Sequence, residues 1–259
     1  MVNKIIAFEN HPPPDAPLVQ DFYSRMAFAA YFESFGTTDT RWFVETTERI
    51  RDHAVNQGFH VQRLYIAPGF VDLHIHYPQT DVIGSPAEGL LPWLEHYTFP
   101  HEKQFADPAY AHEVSAFFLD ELMRHGVTTA LCFATAHPES VDAFMAEAQK
   151  RRLRMITGKV LQDRHSPDGL RDTNTDLSLR QTEDLIRRWH GVDRLGYAIT
   201  PRFAPTSTPE QLHGAGEIAQ QFSDVWIQSH VAENPDEIRW VSELFPEARS
   251  YLDVYDRAG

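Results

Sequence analysis

The alternation of apolar and polar positions changes character near Ile66. Beyond it, short runs of strand type alternate with longer stretches of helical spacing. Phe70-Val71-Asp72-Leu73-His74-Ile75-His76 reads as a first strand. Asp107-Pro108 opens a helix, with Asp suited to the N-cap and Pro to the first turn, and Gly126 closes it. Val127 to Phe133 reads as a second strand, Glu139 to Arg152 as a helix and Met155 to Leu161 as a third strand. Leu179 to Trp189 is helical, Tyr197 to Phe203 is a fourth strand, and Thr208-Pro209-Glu210 starts another helix. Val225 to Val231 is a fifth strand, and Asn234-Pro235-Asp236-Glu237 starts a helix stopped by Pro246. Five alternations predict a parallel α/β sheet, and short loops after the strands suit a barrel. A sixth strand would be due at Gly259.

The part before Tyr65 is less regular. His11-Pro12-Pro13-Pro14 is a stiff break, Phe22 to Phe35 is aromatic, and Arg41 to Gln57 reads as a helix ended by Gly58. The pattern therefore divides the chain into an N-terminal segment, 1–64, and a barrel segment, 65–259.

Composition narrows the function classes. The 259 residues carry a formal net charge of −14, which argues against a nucleic-acid or membrane surface as the partner. One cysteine, Cys132, excludes an intrachain disulfide, and its place inside a strand reads as core. No run reaches transmembrane length, and the first ten residues do not read as a signal peptide. The cytoplasm is the default expectation.

His74 and His76 stand two apart on a strand, so both side chains share one face and could share one metal ion. With 14 histidines in the chain, chance supplies roughly one such pair, and two polar residues on a sheet rim are the bland alternative. Their place at the C-terminal end of a strand, where parallel barrels build active sites, raises the metal reading. Asp72 lies on the same face and could support a ligand. His230 ends the fifth strand and Glu233 follows three residues later. A carboxylate there would stand near a zinc-acidified water and could carry its proton to a leaving group. Arg202-Phe203 ends the fourth strand; the pair could be a rim residue and a core residue, or a donor fork and a stacking face for a planar substrate. Other chemistries fare worse. Gly214-Ala215-Gly216 lacks a third glycine and a preceding strand. His137-Pro138-Glu139 is half of a deaminase zinc motif whose other half needs two more cysteines.

Pro68-Gly69-Phe70-Val71-Asp72-Leu73-His74-Ile75-His76 resembles the first metal strand of the amidohydrolase superfamily. Tyr77-Pro78-Gln79 and Leu90 through Pro100 are similar to guanine deaminases within it. So are Gly126 to Ala130, Phe133-Ala134-Thr135, Thr200-Pro201-Arg202-Phe203 and Gln228 through Asn234. The likeness covers about three quarters of the chain. It implies a TIM (β/α)8-type metal-dependent hydrolase barrel, with only about the first five units in this chain. It also implies hydrolysis of guanine to xanthine and ammonia in purine catabolism. His74, His76 and His230 would bind one Zn2+ per subunit; Gln79, Arg202 and Phe203 would hold the purine; Glu233 would shuttle the proton. A homodimer is implied as well. The resemblance further implies a histidine and an aspartate ligand beyond Gly259 and a small β-sandwich built from both chain ends, so the sequence reads as truncated. Another aminopurine or a triazine as substrate, or a non-catalytic fragment of the barrel, are the alternatives.

Overall fold

Polar caps and prolines set the helix starts. The computed structural model describes residues 4–10, 48–49, 51–53, 55–58 and 61–259. The Pro-rich break at 11–14 and the aromatic stretch 22–35 lie outside the described residues. Of the helix expected over 41–57, residues 48–49, 51–53 and 55–56 are helical, and Gly58 then turns the chain at φ 87°.

The described residues divide into two compact units, one holding those up to Asp72 with Leu119–Thr129, the other Leu73–Phe118 with Ala130–Gly259. In the first, strand β1 (Lys4–Asn10) pairs antiparallel with β2 (Val61–Pro68), from Lys4 opposite Pro68 to Asn10 opposite Val61.

Most of the regular part follows the sequence pattern. Strand β3 (Phe70–His76) and β4 (Val127–Phe133) have the bounds read from the residues. Helix α1 (Pro108–Arg124) lies between them and ends at Gly126, whose φ of 81° suits a residue without a Cβ. Helix α2 (Pro138–Lys150) follows, then β5 (Arg154–Gly158) and β6 (Val160–Leu161). Helix α3 (Thr175–Trp189) starts earlier than its apolar pattern, because the Asn174 side chain accepts from the Leu177 N–H. Strand β7 (Gly196–Pro201), α4 (Pro209–Gln221), β8 (Trp226–Ile227), α5 (Pro235–Leu244) and α6 (Tyr251–Asp256) complete the chain. The sheet runs β3-β4-β5-β7-β6, with β8 on β7, and β7 is parallel to β5, β6 and β8. This is a parallel barrel architecture with about five strand–helix units.

Three differences from the sequence pattern have physical reasons. The third strand breaks at Lys159. A Cβ on Gly158 would lie 1.8 Å from the Ala198 carbonyl oxygen, so the backbones approach closely there. Lys159 turns inward to ion-pair with Asp172 at 2.6 Å. The fifth strand is regular only over Trp226–Ile227, yet Gln228 N donates to Ile199 O and His230 N to Arg202 O, so extended pairing runs on to His230. The helix Tyr251–Asp256 was not read from the sequence; Ser250 caps it, and Tyr251 and Val254 join a core with Leu212, Val241 and Phe245. Nor were the helical turns Tyr77–Val82 and those over 90–106, which form one side of the pocket described below. No helix among the described residues is long and apolar enough to cross a membrane.

Candidate metal centre and substrate pocket

Strand alternation places His74 and His76 on one face of β3, and the extension of β8 brings His230 beside them. One nitrogen from each lies within 4.8 Å of the others. His76 Nε2 and His230 Nε2 are 3.0 Å apart. Two nitrogens on one tetrahedral zinc, with bonds of about 2.0–2.1 Å, stand about 3.3 Å apart, so this pair needs little movement to share an ion. His230 Nδ1–H donates to the Arg202 carbonyl at 2.6 Å, which leaves Nε2 with its lone pair free to ligate. Gln79 Nε2 lies 3.2 Å from His76 Nδ1, where the amide N–H donates to the ring nitrogen.

Burial keeps His76 and His230 neutral. It holds His76 well below the ordinary histidine value, and the neighbouring His230 lowers it further. Burial likewise lowers His230 to about 4, against the hydrogen bond to the Arg202 carbonyl, which raises it. Metal ligation requires the unprotonated imidazole, so the depressed values favour it at neutral pH.

The histidines open onto a cavity of about 330 Å³, also lined by Gln79, Ile83, Leu90, Trp93, Leu94, Arg202, Phe203 and Glu233. Glu233 follows a left-handed residue, Ala232 at φ 58°, and precedes a capping box in which Asn234 and Glu237 satisfy the first N–H groups of α5. Partial burial and then the Glu237 carboxylate raise its pKa above the ordinary value, against Arg202, which lowers it. A carboxyl so tuned can exchange a proton nearer neutrality. Arg202 is 2 % exposed. Its Nη1 and Nη2 donate to Glu102 at 2.6 and 3.1 Å, and its guanidinium lies 4.9 Å over the Phe99 ring. Phe203 is 6 % exposed and meets Trp240 edge to face.

Residues 65–259 match the model of the amidohydrolase family. The chain belongs to the amidohydrolase family. Guanine deaminase of Escherichia coli strain K12 is 49 % identical to this amidohydrolase over 216 residues, 83 % of this chain and 47 % of that protein. A solved structure of E. coli guanine deaminase matches with a TM-score of 0.69 over 74 % of this chain and 43 % of that one. A solved guanine deaminase from C. acetobutylicum, with bound guanine in the active site, is 34 % identical with a TM-score of 0.71, covering 74 % of this chain and 46 % of that one. A zinc-complexed atrazine chlorohydrolase from Arthrobacter aurescens, 18 % identical with a TM-score of 0.62 over 74 % and 46 %, shares the fold. The chain spans about half the length of the curated relatives it matches.

His74, His76, His230, Gln79, Arg202, Phe203 and Glu233 thus line one cavity, and Asp72 is not among its lining residues. Two further residues of this amidohydrolase escaped that reading. Phe133, fully buried, stacks on His76 with ring centroids 4.4 Å apart, lies 4.4 Å from His230 and meets His74 edge-on at 5.3 Å. It underlies all three rings. Its place as the last residue of β4, at a strand C-terminus as His76 is on β3, was a usable signal. Glu102 carried none: it sits in a short helical turn, Phe99–Glu102, with no polar periodicity to mark it.

Proposed function

We propose that this chain belongs to a zinc-dependent aminohydrolase that converts guanine and water to xanthine and ammonia. The observation that carries the reading is the convergence of His74, His76, His230, Gln79, Arg202, Phe203 and Glu233 on one cavity. It stands in a chain that is similar to guanine deaminases over most of its length.

The donor set suits zinc: three imidazoles, two of them held neutral by burial, one with its tautomer set by a backbone carbonyl, and nitrogens near ligating separation. His74, His76 and His230 would hold the ion, which when bound supplies Lewis acidity that lowers the pKa of water to about 7. Gln79, whose amide nitrogen rests against His76 Nδ1, would help hold the purine. Arg202 directs the donors not taken by Glu102 toward the carbonyl oxygen and ring nitrogens of guanine, and Phe203 supplies an aromatic face. Ile83, Leu90, Trp93 and Leu94 give the cavity an apolar wall. Glu233 takes a proton from the attacking water and delivers it to the departing amine. Water's oxygen replaces the amino nitrogen on the purine carbon, and the nitrogen leaves as ammonia. The reading extends to one zinc per subunit, a homodimer and a cytoplasmic setting.

Ammonia release from guanine, measured beside zinc content by elemental analysis, tests the proposal. About one zinc per subunit, activity lost on chelation and restored by zinc are expected. A zinc-loaded protein that leaves guanine intact overturns it.

A further inference from the structure

Glu102 and Arg202 form a buried ion pair with side chains 1 % and 3 % exposed. Both carboxylate oxygens accept from the two terminal guanidinium nitrogens, in the side-by-side geometry that fixes an arginine's plane as well as its charge. Phe99, one helical turn back from Glu102, lies under that plane and packs with Leu94 and Leu170. The Arg202 carbonyl meanwhile accepts from His230 N and from His230 Nδ1. Arg202 is thereby gripped at both ends, by the helical turns over 90–106 through its side chain and by the candidate metal ligand through its backbone. A guanidinium carries five donors, and the two given to Glu102 leave others for the cavity that Arg202 lines.

We propose that Glu102 is a positioning residue, which sets the Arg202 guanidinium plane so that its remaining donors meet the acceptor edge of the substrate. This rests on the reading of the cavity as a guanine site. Glu102 itself accepts from Arg202 and need not touch substrate. Charge neutralisation alone would be served by any carboxylate nearby; positioning requires this side-chain length. The two roles therefore separate in Glu102→Asp, which keeps the charge and draws the carboxylate back by one methylene.

The experiment measures kcat, KM, zinc content, melting temperature and the guanine dissociation constant for wild type, Glu102→Gln and Glu102→Asp. Positioning predicts that Glu102→Asp raises the guanine KM by about tenfold, with kcat within about threefold and zinc unchanged. Folded Glu102→Gln, which loses the charge-assisted pair, shows at least as large a rise. Should Glu102→Gln fail to fold, Glu102→Asp decides alone. An unchanged KM in Glu102→Asp with a lowered melting temperature marks a purely structural pair and overturns the proposal. So does a fall in kcat that tracks lost zinc. Wild type that binds guanine without turning it over overturns the functional reading while leaving positioning to be judged from the ratio of dissociation constants. Wild type that does neither overturns both.

Discussion

Replacing Glu233 by Gln exchanges a proton carrier for an amide of the same shape. The fixed contact at this residue is its backbone N–H, which donates to Glu237 Oε2 at 2.9 Å, and glutamine keeps it. The capping box of α5 is built on Asn234 and Glu237 and is also untouched. The change in folding stability is therefore expected within about 0.5 kcal/mol. The loss falls on the chemical step. General acid–base catalysis contributes about 10² to 10⁴-fold, or about 2.7 to 5.4 kcal/mol of barrier at 1.36 kcal/mol per decade. The pH profile supplies an independent check. Partial burial, then Glu237, raises the Glu233 pKa. The carboxylate must be ionised to accept a proton, so activity falls as pH drops through that raised value. The acid limb of kcat/KM thus follows ionisation of Glu233 in wild type, and the residual activity of Glu233→Gln lacks that limb. The assay is ammonia release from guanine across pH, with zinc measured on the same samples. Near-normal turnover in Glu233→Gln, or an unaltered acid limb, refutes the assignment. Loss of zinc in step with activity would make Glu233 a support of the metal centre instead.

His230→Ala is expected to lower zinc content at limiting zinc well below wild type, since it removes the imidazole whose tautomer is already set for ligation; stoichiometric retention contradicts the three-histidine site. Phe133→Ala removes a fully buried ring beneath the histidines and should cost about 3–5 kcal/mol in urea unfolding, with weaker metal retention beside it. Asp172→Asn leaves the buried Lys159 ammonium without its carboxylate, at a cost of about 3–5 kcal/mol near neutral pH. Burial already lowers the Lys159 pKa, and losing Asp172 lowers it more. Above the unfolded lysine value of about 10.4 the lysine is neutral in both states, so the deficit should shrink as pH rises toward it; a deficit flat with pH speaks against a confined ammonium.

The alternation of strands and helices from Phe70 to Leu244 was legible because local chemistry decides it. Asp, Asn and Thr caps with following prolines start helices, Gly126 stops one, and period-two apolar runs make strands. The pairing of His74 with His76 was equally local, since two residues apart on a strand must share a face. The meeting of that pair with His230, more than 150 residues on, was inferable only through the rule that parallel barrels gather strand C-termini at one mouth. The rest belongs to the tertiary structure. Whether Arg202 faces solvent, core or ligand depends on Glu102, a hundred residues away in a turn that no periodicity marks. The break of the third strand at Lys159 depends on where Asp172 and the Ala198 carbonyl lie. The neutrality of His76 and His230 comes from desolvation by surrounding residues, which no single stretch of sequence contains. Periodicity and capping are properties of neighbours along the chain, and the sequence by itself determined those. Ion pairing, burial and the separation of ligand atoms are properties of neighbours in space, and only the folded structure decided them.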